Sequence, residues 1–221
     1  MTAAAVLTVA AVALGFLLGS WRAAAAAPSD TSAEAGFARD MQTHHGQAVQ
    51  MALAIRDRTN DPALRTLTYD IITSQQQQSG QMFGWLAQWG LSQTTSEPPM
   101  SWMSRSGASE QDRGAMATSP PSTAMPDMPT STAMPDMPTS TAMSGMASAA
   151  DVSRLQTLPV PQAEVLFLRL MITHHQAGVA MAKAVQPLTD RPEVLALARA
   201  IVQAQTAEIS ALQSLLAARG A

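Results

Sequence analysis

Phe37, Met41, His44, Ala48, Met51 and Ile55 follow one another at spacings that alternate between four and three. That alternation draws a single stripe along an α-helix. A second stripe runs through Leu64, Ile71, Gln75, Gln78, Met82 and Trp85. Further along, Phe167, Met171, His174, Gly178, Met181 and Val185 repeat the first pattern. Val194, Ile201, Gln205, Glu208, Leu212 and Leu215 repeat the second. Each stripe is apolar except at one level, where His, Gln or Glu faces inward. The pattern predicts helices over 31–58, 61–90, 161–187 and 191–218, and a short helix near 150–157 with Asp151 close to its start. Thr31-x-x-Glu34 reads as a capping box, and Asp61-Pro62 as a cap residue followed by proline in the first turn. Pro161 with Glu164, and Asp190-Arg191-Pro192, open the later pair.

The pairs of stripes are copies. Ala33–Ala52 and Ala163–Ala182 are identical at eleven of twenty positions, at a constant offset of 130. The register continues without a gap through Pro62 and Pro192, Leu67 and Leu197, Ile71 and Ile201, and Gln75 and Gln205. Such a repeat defines the architecture: a duplicated helical hairpin with pseudo-twofold symmetry. In the first hairpin His44 and Gln75 lie about equally far from the turn near 59–60, so they stand at one height in an antiparallel pair. Met41 then levels with Gln78, His174 with Gln205, and Met171 with Glu208. The expected fold is all-α, a four-helix bundle in which Met, His, Gln and Glu converge in one polar layer. Buried polar groups need partners. A metal, a water cluster or a mutual hydrogen-bond network would supply them.

The residue types narrow the choice. The chain has no Cys, which excludes disulfides and thiolate sites. Met is abundant, at 15 of 221 residues. Met41 and His44 are three apart and share a helix face, while His45 lies at the edge of the stripe. Thioether and imidazole together favour copper, Cu(I) through sulfur and Cu(II) through nitrogen. Zinc could use the four His but leaves the thioethers without a role. Di-iron bundles need Glu-x-x-His pairs and further carboxylates, and here Met stands at the Glu position. The candidate ligands are Met41, His44, His45, Met51, Met171, His174, His175 and Met181. Gln75, Gln78, Gln205 and Glu208 are candidates for a supporting role behind them. Met51 and Met181 also read as core filler.

Between the hairpins the character changes. Residues 92–150 are rich in Ser, Thr, Pro and Met, and Ser-Thr-Ala-Met-Pro-Asp-Met-Pro-Thr occurs at 122–130 and again at 131–139. Such a composition cannot bury enough surface to fold. Its nine methionines include Met100, Met103, Met116, Met125, Met128, Met134, Met137, Met143 and Met146, four pairs of them spaced Met-x-x-Met. Thioethers without a fixed geometry would capture Cu(I) weakly and collectively. Met82, Met125, Met128, Met134, Met137, Met143 and Met146 are therefore candidates for auxiliary copper capture, the last two abutting the second hairpin. A plain spacer, or a trap for oxidants through sulfoxide, is the other reading.

At the amino terminus Ala3–Leu18 is an apolar run interrupted only by Thr8, followed by Trp21-Arg22 and a run of alanines. An export signal with cleavage before Ala27 fits the small residues there. An uncleaved anchor through residues 3–21 fits the length and the Trp-Arg flank. Either places the protein outside the cytoplasm, secreted, periplasmic or held on the outer face of the membrane. Net charge is −3 and Lys and Arg are scattered singly, so a nucleic-acid partner is not expected. No nucleophile paired with a base and no paired carboxylates are visible, so no enzyme is expected.

The duplicated Phe-x-x-x-Met-x-x-His-His-x-x-x-x-x-Met-Ala pattern resembles the domain of unknown function 305 family, over residues 31–91 and 143–218. The resemblance implies a ferritin-like helical bundle, export from a bacterial cell and, for some members, copper binding and tolerance. Carried over by position, it marks the same four Met and four His. Asp40 matches an acidic residue that often precedes the first motif Met, and Leu170 departs from it. Gln205 and Glu208 match a Gln-x-x-Glu pattern on the second helix, which Leu212 fails to follow with Met. Met82 matches, but Gln78 replaces the Glu. The two half-sites are thus expected to differ.

The expected organisation is a signal or anchor over 1–27, a first hairpin over 28–91, a disordered linker over 92–142 and a second hairpin over 143–221. The two hairpins form one bundle. The expected function is extracytoplasmic copper sequestration or buffering. Two alternatives stand beside it: a helical interaction module whose His and Gln layer is only a hydrogen-bond network, with an unidentified protein partner, and a copper-dependent oxidase.

Overall fold

A computed structural model describes residues 26–107 and 143–220. The apolar run of residues 3–21 and the linker methionines Met116, Met125, Met128, Met134 and Met137 lie outside the described residues. The fold is all-α. The first hairpin is α1 (Ala33–Arg56) and α2 (Pro62–Gln88). A 3-10 helix follows at Ser101–Gly107. Then come α3 (Ala149–Thr157), α4 (Val160–Val185), a 3-10 turn at Gln186–Leu188, and α5 (Pro192–Ala217). All four predicted long helices form, each ending within a few residues of its predicted bounds. Among the described residues no helix is long and apolar enough to cross a membrane.

The caps explain the small shifts. Ser32 caps α1, not Thr31, its side chain accepting from Ala35 N at 3.2 Å. Asp61 caps α2 by accepting from Ala63 N and Leu64 N at 2.8 and 3.2 Å. In the second hairpin Arg191 takes the place of Asp61 and makes no side-chain cap. What the copies share there is a turn: Thr59 Oγ1 accepts from Asp61 N, and Thr189 Oγ1 from Arg191 N, both at 3.1 Å. α4 starts after Pro159, without a side-chain cap, and Pro161 occupies its first turn. Arg219 ties the end of α5 to the starts of α2 and α4, reaching Asp61 at 2.7 Å and Glu164 at 2.8 Å.

The core lies in two apolar halves. One gathers Phe37 and Met41 from the start of α1, Met82 and Leu86 from the end of α2, Met181 and Val185 from the end of α4, and Val194 and Ile201 from the start of α5. The other gathers Met51 and Ile55, Leu64 and Ile71, Phe167 and Met171, and Leu212, with Val152 and Leu155 of α3 added. Opposite ends of α1 and α4 therefore share each half, so these two helices cross antiparallel at the centre. α2 packs on α1, and α5 on α4. Trp85 and Leu215, expected in the stripes, are only partly buried, while Ile72 and Leu86 go inward.

The first part of the expected linker lies on α1. Trp102 is buried and meets Phe37 edge to face at 6.0 Å. Asp40 Oδ2 accepts from both Trp102 Nε1 and Met100 N at 2.8 Å. Met100 holds a φ of +66°, a region that side chains disfavour. Burial raises the Asp40 carboxyl, against the opposing pull of these two donors and Arg39. The indole sits where Gly36 lacks a Cβ: a Cβ there would approach Trp102 Cγ to 2.6 Å. At the far end of the linker, Met143 is buried, and Gln47 and Ala147 exchange two hydrogen bonds at 2.9 and 2.8 Å. Gly36→Ala is expected to push Trp102 out and to destabilise the fold by about 1–3 kcal/mol. Urea unfolding with acrylamide quenching of tryptophan emission measures both effects. An unchanged midpoint with unchanged quenching would contradict the wedge.

Candidate metal centre

Where α1 and α4 cross, the side chains become polar. His44 and His174 stack with ring centroids 3.6 Å apart and planes inclined by 29°. Each flanks its neighbour in sequence, His45 at 6.3 Å and His175 at 6.4 Å between centroids. All four are buried. His45, expected at the stripe edge, goes inward because α2 covers it: its Nε2 is 2.7 Å from Gln78 Oε1. His175 Nε2 lies 2.8 Å from Glu208 Oε2 in the matching place. Met41 and Met171 were expected to level with Gln78 and Glu208, and the structure gives those two contacts to the second histidines instead. Adjacent residues on a helix point about 100° apart, so one histidine turns to the partner hairpin and the next to its own.

Gln205 reaches across the crossing. A Cβ on Gly178 would collide with Gln205 Oε1 and come within 3.1 Å of His44 Cε1. Gly178 stands in the stripe where the first copy has Ala48. Its missing side chain makes the room in which α4, Gln205 and His44 meet, a role that the stripe pattern alone did not reveal.

The layer is poorly satisfied by the protein itself. Both ring nitrogens of His44 and of His174, Nδ1 of His45 and of His175, and the amide atoms of Gln75 and Gln205 are buried without a hydrogen-bond partner. Leaving one such group unpaired costs about 1–3 kcal/mol. Ten together rival the entire stability of a typical domain. The donor set thus fits a guest that accepts lone pairs from imidazole and amide oxygen. Burial also keeps His44, His45 and His174 neutral and their lone pairs free. It pushes His44 down to about 4, with a smaller contribution from the neighbouring His175 ring. It pushes His45 down to about 3, with help from His44 and against the Gln78 contact. His174 is held below its ordinary value by burial, then by the other three rings.

The eight candidate ligands do not form one ready cage. Among the described residues, no three His, Asp or Glu side chains are arranged to hold an ion. The stacked rings of His44 and His174 lie face to face and would have to turn to share one. The four methionines are buried but divide between the apolar halves, Met41 with Met181 and Met51 with Met171. They lie on either side of the histidine layer. Met82 joins the first half, and Met100 and Met103 pack against it. Asp40, the acidic residue before Met41, is engaged by Trp102 and Met100 rather than by the layer. Gln78 also lines a groove of about 380 Å³ between α2 and α5, with Gln77, Gln81 and Glu193.

These features define a class: a duplicated helical hairpin built around a buried imidazole layer. The profile described as Domain of unknown function (DUF305) matches residues 34–216, and the chain belongs to that family. It resembles the crystal structure of an inferred secreted DUF305 protein of Streptomyces coelicolor at 39% identity and TM-score 0.69, over 87% of this chain and 97% of that one. A DUF305 fragment from Deinococcus radiodurans matches at 34% identity and TM-score 0.60, over 84% and 95%. CopM in its Cu(II)-bound form shares the fold at 24% identity and TM-score 0.52, over 84% and 95%. No curated protein matches the chain.

The lowered histidines set the acid behaviour of the metal-free protein. The unfolded chain takes up protons near 6.5, the folded rings only near 4 and 3. Between those values the unfolded state binds more protons, so stability is full above about 6.5 and falls as the pH drops. Each such ring adds a slope approaching about 1.4 kcal/mol per pH unit. Urea midpoints measured from pH 7.5 down to 4.5 are expected to decline, and to decline less in a His44→Leu, His174→Leu variant. Equal slopes in the two proteins would contradict neutral burial of these rings.

Proposed function

We propose that this protein binds copper outside the cytoplasm and sequesters or buffers it. The observation that carries the reading is the buried layer of four imidazoles with ten partnerless polar atoms, flanked on both sides by buried thioethers. Imidazole nitrogen and thioether sulfur together match copper in its two oxidation states. Met41, His44, His45 and Met51 are the proposed ligands from the first repeat. Met171, His174, His175 and Met181 are those from the second. Gln75, Gln78, Gln205 and Glu208 orient them. The neutral rings of His44, His45 and His174 lose no protons on binding, so loading is favoured at neutral pH. A groove between α2 and α5 reaches Gln78, the residue bonded to His45.

CopM, which shares the fold, has been crystallised with Cu(II) and with Cu(I), and that lends the metal assignment support. An extracytoplasmic place is supported by the apolar run Ala3–Leu18 and by the inferred secreted relative. In that setting thioethers bind soft copper where thiols would oxidise. We infer that the Met-x-x-Met pairs of the linker, including Met125 with Met128 and Met134 with Met137, collect Cu(I) for the folded layer. Nothing in the layer activates a nucleophile, and a storage role needs none.

Anaerobic Cu(I) and aerobic Cu(II) titration of the wild type beside a His44→Ala, His174→Ala variant tests the reading. The variant is expected to lose at least tenfold in affinity at the bundle site. Deletion of 108–142 is expected to lower the Cu(I) stoichiometry while sparing that site. If the double variant keeps both affinity and stoichiometry, the layer is a hydrogen-bond network inside a helical interaction module. Oxygen uptake driven by Cu(I) would instead identify an oxidase.

A further inference from the structure

The pseudo-twofold symmetry of the layer is broken at one contact. His45 meets an amide, Gln78, and His175 meets a carboxylate, Glu208, at nearly equal distances of 2.7 and 2.8 Å. We propose that Glu208 holds His175 with its hydrogen on Nε2, presents Nδ1 as the ligating atom, and makes the second repeat the first half-site to load with copper. The proposal deepens the function above and rests on it.

The argument is one of donors and acceptors. An ionised carboxylate has no hydrogen to give, so the ring nitrogen facing it must be the donor. A neutral imidazole has one N–H, which leaves the lone pair of His175 on Nδ1. That atom is buried and has no protein partner. Gln78 imposes no such choice. Its amide offers an oxygen or an NH2 group by flipping, so His45 satisfies it in either tautomer. The carboxylate also polarises the ring toward the metal-binding nitrogen, as carboxylate–histidine pairs do behind many metal sites. Glu208 keeps some exposure, 14% of its side chain, beside a fully buried ring. Glu208 is thus a positioning residue, three positions after Gln205 on the same helix. One substitution between the repeats, Gln78 against Glu208, converts a symmetric pair into an ordered one.

Long-range ¹H–¹⁵N correlation spectra of the histidine-labelled, metal-free protein read the tautomer directly. Stepwise Cu(I) addition to the same sample reads the order of loading, because Cu(I) is diamagnetic. The expected result is the Nε2–H form at His175, with His175 resonances moving before those of His45. Glu208→Gln is expected to weaken the tighter step by about 10–100-fold. A Gln78→Glu, Glu208→Gln double exchange is expected to move that step to His45. An Nδ1–H tautomer at His175 overturns the proposal, as does unchanged stepwise affinity in Glu208→Gln, or earlier movement of His45. A wild type that takes up no copper sinks the function and the loading order together. In that event the tautomer in the metal-free spectrum still decides whether Glu208 positions the ring.

Discussion

Two imidazoles stacked 3.6 Å apart at a helix crossing constrain everything around them. Rings that close cannot both carry charge, and neither can reach water from the middle of the bundle. The helices that bring them together must therefore supply enough apolar burial on either side to offset a layer of unpaired nitrogen and amide groups. The two halves of the core do this. Phe37, Met41, Met82 and Met181 close one side, and Met51, Ile55, Phe167 and Met171 close the other. Burying an aliphatic or aromatic side chain contributes about 1.5–3 kcal/mol, which opposes the cost of the polar layer.

Duplication explains how such a layer arises. A hairpin carrying His at one level of its inner stripe has nothing to bury that His against. Two copies crossing antiparallel bury each against the other, and sequence identity guarantees that the levels match. The same duplication then permits divergence. Ala48 corresponds to Gly178, Asp61 to Arg191 at the cap, and Gln78 to Glu208. These differences leave the helices intact, because backbone geometry depends on the shared stripe. They change the chemistry of the layer, which depends on single side chains.

The methionines have a double character under the proposed function. As unbranched, polarisable side chains they fill the core; as soft donors they stand beside neutral imidazoles. Their distribution, Met41, Met82 and Met181 in one half of the core and Met51 and Met171 in the other, keeps thioether sulfur on either side of the layer. The strap of residues 92–104 closes one half from outside through Trp102, and the segment 143–147 is tied to α1 by the Gln47–Ala147 pair and lies close on α4 at Gly145. Both ends of the Met-rich connection are thereby attached to the folded body that the connection is proposed to serve.

Alternating spacings of three and four were sufficient to read the four long helices, the inward histidines 44 and 174, and the duplicated hairpin. Those features follow from local periodicity, which every residue in a stripe reports. The burial of His45 and His175, the Trp102 strap on Gly36, and the meeting of Gly178, Gln205 and His44 were not legible in the same way. Each depends on how far one helix rotates against another that is distant in sequence, and a stripe edge says only that a side chain is near a boundary. The division of the thioethers between two halves has the same origin. Spacing placed each Met on an inner face, but the antiparallel crossing of α1 and α4 decided which Met shares a half of the core with which.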